Sequence, residues 1–147
     1  MAEKIVLQGR GLVDGIAEGE ALVSAESLVW SHGVYPPTGM IEDVRVSVCG
    51  ECVKDKILVY PYGKGSTTGG TWMLENSRYG NAPKAIINRE SEMIIAAGAV
   101  LSKELYGVSI PLVDHIEDVD KIIETGDWVR VDGFTGTVEV TKKTNAG

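Results

Sequence analysis

Three short runs constrain this chain more than anything else in it: Lys56–Pro61 (KILVYP), Lys84–Asn88 (KAIIN) and Val108–Val113 (VSIPLV). Each is too short for a helix. Each is also too continuously apolar at its centre for a strand with one wet face, so all three read as strands buried on both sides. The gaps between them hold segments of helical length. Gly70–Tyr79 carries Trp72, Met73, Leu74 and Tyr79 and stops at Gly80. Ser91–Leu105 carries Met93, Ile94, Ala97, Val100, Leu101 and Leu105 close to helical spacing, with Ser91 placed to cap it and Gly107 to end it. Strand, helix, strand, helix, strand predicts parallel strands joined by crossover helices.

The flanks add different material. Lys4–Gly11 and Glu20–Ser24 read as strands, and Ile116–Ile123 as a short helix stopped at Thr125 and Gly126. Trp128–Val131 and Thr135–Thr141 read as a hairpin around Asp132-Gly133, followed by a frayed end. Ser27–Asp43 has little periodicity and is broken by Pro36, Pro37 and Gly39, so it reads as a long loop of the kind that serves a site or covers an interface. No repeat or linker interrupts the 147 residues, a length that suits one core. The expectation is a single α/β domain over 1–147, a central mixed or barrel-like sheet flanked by helices.

Charge narrows the partners. A net charge of −7 argues against nucleic acid and against an anionic membrane surface, both of which need a basic face. No apolar run approaches the roughly 20 residues of a membrane span. The opening MAEKIVLQGRG lacks the pattern of a signal peptide, which points to the cytoplasm. Cys49 and Cys52 stand in CGEC, but a zinc site needs four ligands, and His32 and His115 lack ligand spacing. A redox pair should open a helix after a strand, whereas Val53, Lys54 and Asp55 lead into one. Two thiols in a loop or strand end is the expected reading.

Chemistry concentrates between the first buried run and the first helix. Residues 63–70 (GKGSTTGG) hold four glycines, a lysine and three hydroxyls. A turn there aims backbone N–H groups at whatever lies before the helix, and the helix dipole favours negative charge. Lys64 precedes Gly65 instead of following it, so the segment is not a P-loop; Ser66 is not in a Gly-x-Ser-x-Gly elbow. The residues alone leave three readings open: an anion-binding turn, a turn that presents Ser66 as a reactive hydroxyl, and a plain turn with Ser66 or Thr67 as helix cap. A carrier domain that shuttles a phosphohistidine would need a histidine in this turn, and there is none.

The order of pieces carries a resemblance. Gly63–Ser66, then a helix, then Ala85–Ile87, a second helix, and Ile110–Val113 resemble the swivelling domain of the aconitase superfamily. The chain is most similar to the small subunit of aconitase X, through Ala17–Ala21 (AEGEA), Thr38–Asp43 (TGMIED), Gly63–Thr67 (GKGST), Ala82–Asn88 (APKAIIN), Glu90–Glu92 (ESE), Ile110–Asp114 (IPLVD) and Thr125–Asp132 (TGDWVRVD). That resemblance implies a swivelling β/β/α domain and a hydro-lyase built of a large and a small part. The implied substrates are phosphomevalonate, which is favoured, and cis-3-hydroxy-L-proline. The large subunit would hold the iron–sulfur cluster and most substrate contacts in a heterodimer, and this chain would bind no cofactor itself. Ser66 would be the base that removes a proton beside a carboxylate while the cluster iron, as Lewis acid, helps the hydroxyl leave. Gly63, Lys64, Gly65, Thr67 and Thr68 would line the substrate. Familiar aconitases have arginine where this chain has Thr68, so a tricarboxylic substrate is not expected.

Several neighbours admit two roles. Glu90, Ser91 and Glu92 fit a helix cap at least as well as a second layer of acid around the site. Arg78 and Arg89 suit either an anionic substrate or a charged surface, and Asp43 reads best as a solvated loop carboxylate. A non-catalytic module that grips an anion or a partner is the rival function.

Overall fold

The computed structural model describes residues 3–62, 69–91 and 93–143. Its strands are β1 (Lys4–Gln8), β2 (Arg10–Val13), β3 (Ile16–Val23), β4 (Val34–Tyr35), β5 (Met40–Ile41), β6 (Ile57–Val59), β7 (Ala85–Ile87), β8 (Leu112–Asp114), β9 (Trp128–Asp132) and β10 (Thr137–Thr141). Its helices are α1 (Gly69–Arg78), α2 (Met93–Tyr106) and α3 (Val119–Ile122).

Eight strands form one mixed sheet in the order β1-β10-β9-β3-β6-β7-β8-β2. The three short apolar runs are its parallel centre: β6 pairs with β7 and β7 with β8. The long β3 joins the two halves. Its first part runs antiparallel to β9, and its last part, Ala21–Val23, runs parallel to β6. Side-chain alternation divides the core accordingly. Leu22, Leu58, Ile86 and Leu112 face α1 and α2. Ala21, Ile57, Val59, Ala85, Ile87 and Val113 face the opposite way, where Val129, Val131, Val138 and Val140 of the hairpin meet them with α3. Strands buried on both faces need apolar residues at every position, which is why they lack alternation in the sequence.

The two ends of the strand order are one continuous segment. β1 pairs with β10 and β2 pairs with β8, yet only Gly9 separates β1 from β2. The sheet is closed through the chain itself. Lys4–Gly11 is therefore two strands rather than one. At Gly9 the chain passes so close to β8 that a Cβ would sit 2.4 Å from the Asp114 carbonyl. Gly11 and Gly133 face each other at the same closure: a Cβ on Gly11 would lie 2.1 Å from the Gly133 carbonyl, and one on Gly133 2.0 Å from that of Val13.

Three other expectations need adjustment. Val108–Val113 contributes only its end to the ladder, since Pro111 has no N–H to give and β8 starts after it. Glu20–Ser24 is the tail of a strand that begins at Ile16; its first half alternates with exposed Glu18 and Glu20, so an apolar count misses it. The long loop contains the small β4–β5 hairpin and sends Leu28, Trp30, Val34 and Ile41 into the core beside α1.

Candidate functional site

Gly63, Lys64, Gly65, Ser66, Thr67 and Thr68 lie outside the described residues, as does Glu92. The surroundings of the segment are described. It joins Tyr62, just past the carboxyl end of β6, to the first residue of α1. The carboxyl ends of parallel strands are where open α/β sheets place their ligands.

Four polar residues end four neighbouring strands there. Ser24 follows β3, Tyr60 follows β6, Asn88 follows β7, and Asp114 closes β8; all four are buried. By strand alternation each lies on the side of the sheet that carries α1 and α2. The Trp30 indole N–H donates to the Tyr60 hydroxyl (3.2 Å), and Asn88 Nδ2 donates to the Tyr60 carbonyl (2.9 Å). Among the described residues, Asn88 Oδ1 and Ser91 Oγ are buried without a hydrogen-bond partner.

Asp114 links the site to the sheet closure. Its carboxylate accepts Nε and Nη2 of Arg10, each at 3.0 Å, and the backbone N–H of Ser91 at 3.1 Å. His115 Nε2 lies 3.9 Å from Asp114 Oδ2. The hydrogen bonds that Arg10 donates to Asp114 raise its guanidinium above its usual value, with Glu90 adding to it. Ser91, expected to cap α2 through its hydroxyl, thus meets Asp114 through its N–H.

The two helices arrive side by side. Gly70, in the first turn of α1, lies against α2: a Cβ on Gly70 would be 2.9 Å from the Ile94 carbonyl, and one on Gly98 3.0 Å from the Gly70 carbonyl. The Ser77 hydroxyl then donates to Ser102 Oγ (2.8 Å), and the Ser102 hydroxyl to the Gly98 carbonyl (2.8 Å). Small residues bring both helix N-termini together at one end of the sheet, so the positive ends of two helix dipoles converge where α1 begins.

The other candidates are mostly engaged elsewhere. Arg89 binds both oxygens of Asp120 (2.6 and 3.0 Å), which raises its pKa, and its guanidinium stands 6.0 Å from the Tyr62 ring centre. Arg78 is raised by Glu75 on the exposed side of α1. Asp43 is not the solvated carboxylate expected: it is nearly buried and accepts the Arg45 guanidinium at 2.9 Å. His32 packs on Trp72 with ring centres 4.6 Å apart. Cys49 and Cys52 are free thiols, and no group of three or more His, Cys, Asp or Glu among the described residues is placed to hold a metal. Two thiols do not make the donor set of an iron–sulfur cluster. No helix among the described residues is long and apolar enough to cross a membrane.

Sequence reasoning missed Arg10, Asn88 and Asp114. A signal was present for two of them: the runs KAIIN and VSIPLV stop at Asn88 and Asp114.

A swivelling domain of the aconitase class is what this closed mixed sheet, paired helices and strand-end site define, and the comparisons agree. The family described as the aconitase X swivel domain matches residues 6–140, and the chain belongs to it. It is 45% identical over 134 residues to the phosphomevalonate dehydratase small subunit of Pyrococcus furiosus, covering 91% of this chain and 94% of that one. It is 41% identical over 139 residues to the protein of the same name from Methanosarcina acetivorans, covering 94% and 92%. A chain of the crystal structure of Thermococcus kodakaraensis aconitase X in its holo form superposes with a TM-score of 0.85 at 42% identity, over 94% of this chain and 99% of that one.

Proposed function

We propose that this chain is the small subunit of an aconitase-X-type hydro-lyase that dehydrates phosphomevalonate, with Ser66 as the base. The names of its relatives favour phosphomevalonate over cis-3-hydroxy-L-proline. The observation that carries the chemistry is the pair of helix N-termini held side by side at the carboxyl ends of parallel strands. Such an end stabilises negative charge, which both an anionic substrate and a serine giving up its proton require.

The iron–sulfur cluster, on this reading, is held by the large subunit and supplies the Lewis acid that assists loss of the hydroxyl. This chain's part is the proton. Ser66 removes it from the carbon beside the carboxylate; the hydroxyl departs from the next carbon, and a double bond and one water result. Lys64 supplies positive charge, and Gly63, Gly65, Thr67 and Thr68 offer backbone N–H groups and hydroxyls to the substrate. Asp114 acts behind them: by holding Ser91 and Arg10 it fixes where α2 begins.

The test is reconstitution with the large subunit under anaerobic conditions, with phosphomevalonate and cis-3-hydroxy-L-proline offered separately. Ser66→Ala should assemble normally and lose about 10²–10⁴-fold in turnover, the usual weight of a positioned base. Full turnover in the variant would overturn the catalytic role and leave a non-catalytic anion-binding turn.

A further inference from the structure

Helix α2 has a feature that the dehydration does not use. Its first ten residues, Met93–Ser102 (MIIAAGAVLS), hold no charge, in a chain that is 24% charged. A surface helix normally turns a polar face to water, and one that is apolar all round is enclosed. Ile95, Gly98, Ala99 and Ser102 are buried against the sheet and α1. The opposite side is open: Met93 is 81% exposed, Leu105 59% and Leu101 46%. A groove runs between this side and α1, lined by Gly70, Thr71, Leu74, Ile94, Ala97 and Leu101. None of these carries a charge.

We infer that the open face of α2, together with the groove it forms against α1, is the seat of the large subunit. The inference rests on the function proposed above, which requires such a partner. Two observations select it over a second copy of this chain. The groove opens at the first turns of both helices, and Gly70 is two residues from Thr68 in sequence. A partner that brings the rest of the catalytic site to residues 63–68 must come to that end of the domain, so its contact surface continues into the groove. A second copy would instead set two chains of net charge −7 against each other, which disfavours association. An apolar patch that gives way further along α2 to the exposed charges Lys103 and Glu104 has the make-up of an interface centre with its rim.

The experiment measures affinity for the large subunit and uses Met93→Glu and Leu101→Glu separately. Val44→Glu just past the long loop and Phe134→Glu at the hairpin tip are controls, since both positions are also exposed and apolar. Far-UV circular dichroism and thermal melting of each small subunit establish that it folds. Each groove variant should weaken binding at least about 30-fold, as expected for a charge forced into an interface centre, and the controls less than about threefold. Unchanged binding by both groove variants, with the wild-type pair still assembling and turning over, would overturn the seat while sparing the dehydratase reading. Full turnover by Ser66→Ala beside weakened binding by Met93→Glu would spare the seat and overturn the catalytic role of Ser66. Dimerisation of the isolated subunit that Met93→Glu abolishes, with large-subunit binding intact, would assign the groove to a second copy and also overturn the proposal.

Discussion

Gly11→Ala tests the closure of the sheet. The added methyl would stand 2.1 Å from the Gly133 carbonyl oxygen and 2.9 Å from its carbon. A carbon and an oxygen settle near 3.3–3.6 Å, so the two segments must part by more than about 1 Å. Gly133 has little room to retreat: its N–H donates to the Gly15 carbonyl at 2.7 Å, and it already lies against Val13 on its other side. Overpacking of this kind costs about 1–3 kcal/mol, and a strained or broken backbone hydrogen bond adds about 1. Alanine stiffens the unfolded chain and returns about 0.4–1 kcal/mol. The balance is a loss of roughly 2–3 kcal/mol, or about 6–12 °C in Tm for a domain of this size. Gly107→Ala is the comparison. Its φ of +68° strains alanine, but nothing lies within 4 Å of the new methyl, so about 1–2 kcal/mol is expected. Melting by calorimetry decides the matter. A Gly11→Ala protein that melts at or above Gly107→Ala would refute the close approach of β2 to the hairpin turn.

Other perturbations probe different contacts. Burial alone would push the Asp127 carboxyl up, but the Lys142 ammonium (2.6 Å) and the N–H groups of Lys143 and Glu124 outweigh it and hold the carboxyl below its usual value. A depressed folded value means stability that is present above the ordinary aspartate range and is lost as pH falls through the folded one. Asp127→Asn should therefore melt about 2 kcal/mol below wild type at neutral pH, and calorimetry should find the gap narrowing in acid. At the helix crossing, Gly98→Ala should stay within about 1 kcal/mol of wild type by urea titration, because gained helix propensity offsets the contact at 3.0 Å. Gly98→Leu has no room for its longer side chain against Gly70 and should lose at least about 2 kcal/mol.

The parallel centre was legible because burial on both faces forces continuous apolar runs, and Gly80 and Gly107 marked the ends of the helices between them. The antiparallel half was less so. β3 alternates through Glu18 and Glu20, and its pairing with both β9 and β6 is a property of the whole sheet that local pattern does not encode. The bend at Gly9 depends on β8 and the hairpin turn, more than a hundred residues further along. The Gly-rich segment was conspicuous in the sequence, whereas the Asp114–Arg10–Ser91 contacts required three distant segments to be placed first.

The joining of both sheet ends through Gly9 also sets an order of events. Lys4 lies opposite Thr141, and Arg10 opposite Asp114. Strands β1 and β2 are thus translated well before the strands they pair with, which leave the ribosome about a hundred or more residues later. Contacts this distant must meet their loop-closure entropy before any pairing rewards it, which slows the closing of the sheet relative to local pairing. Until β8 and β10 have emerged, the parallel strands β6 and β7 and the helix α1 can gather, but β1 and β2 have nothing to close against.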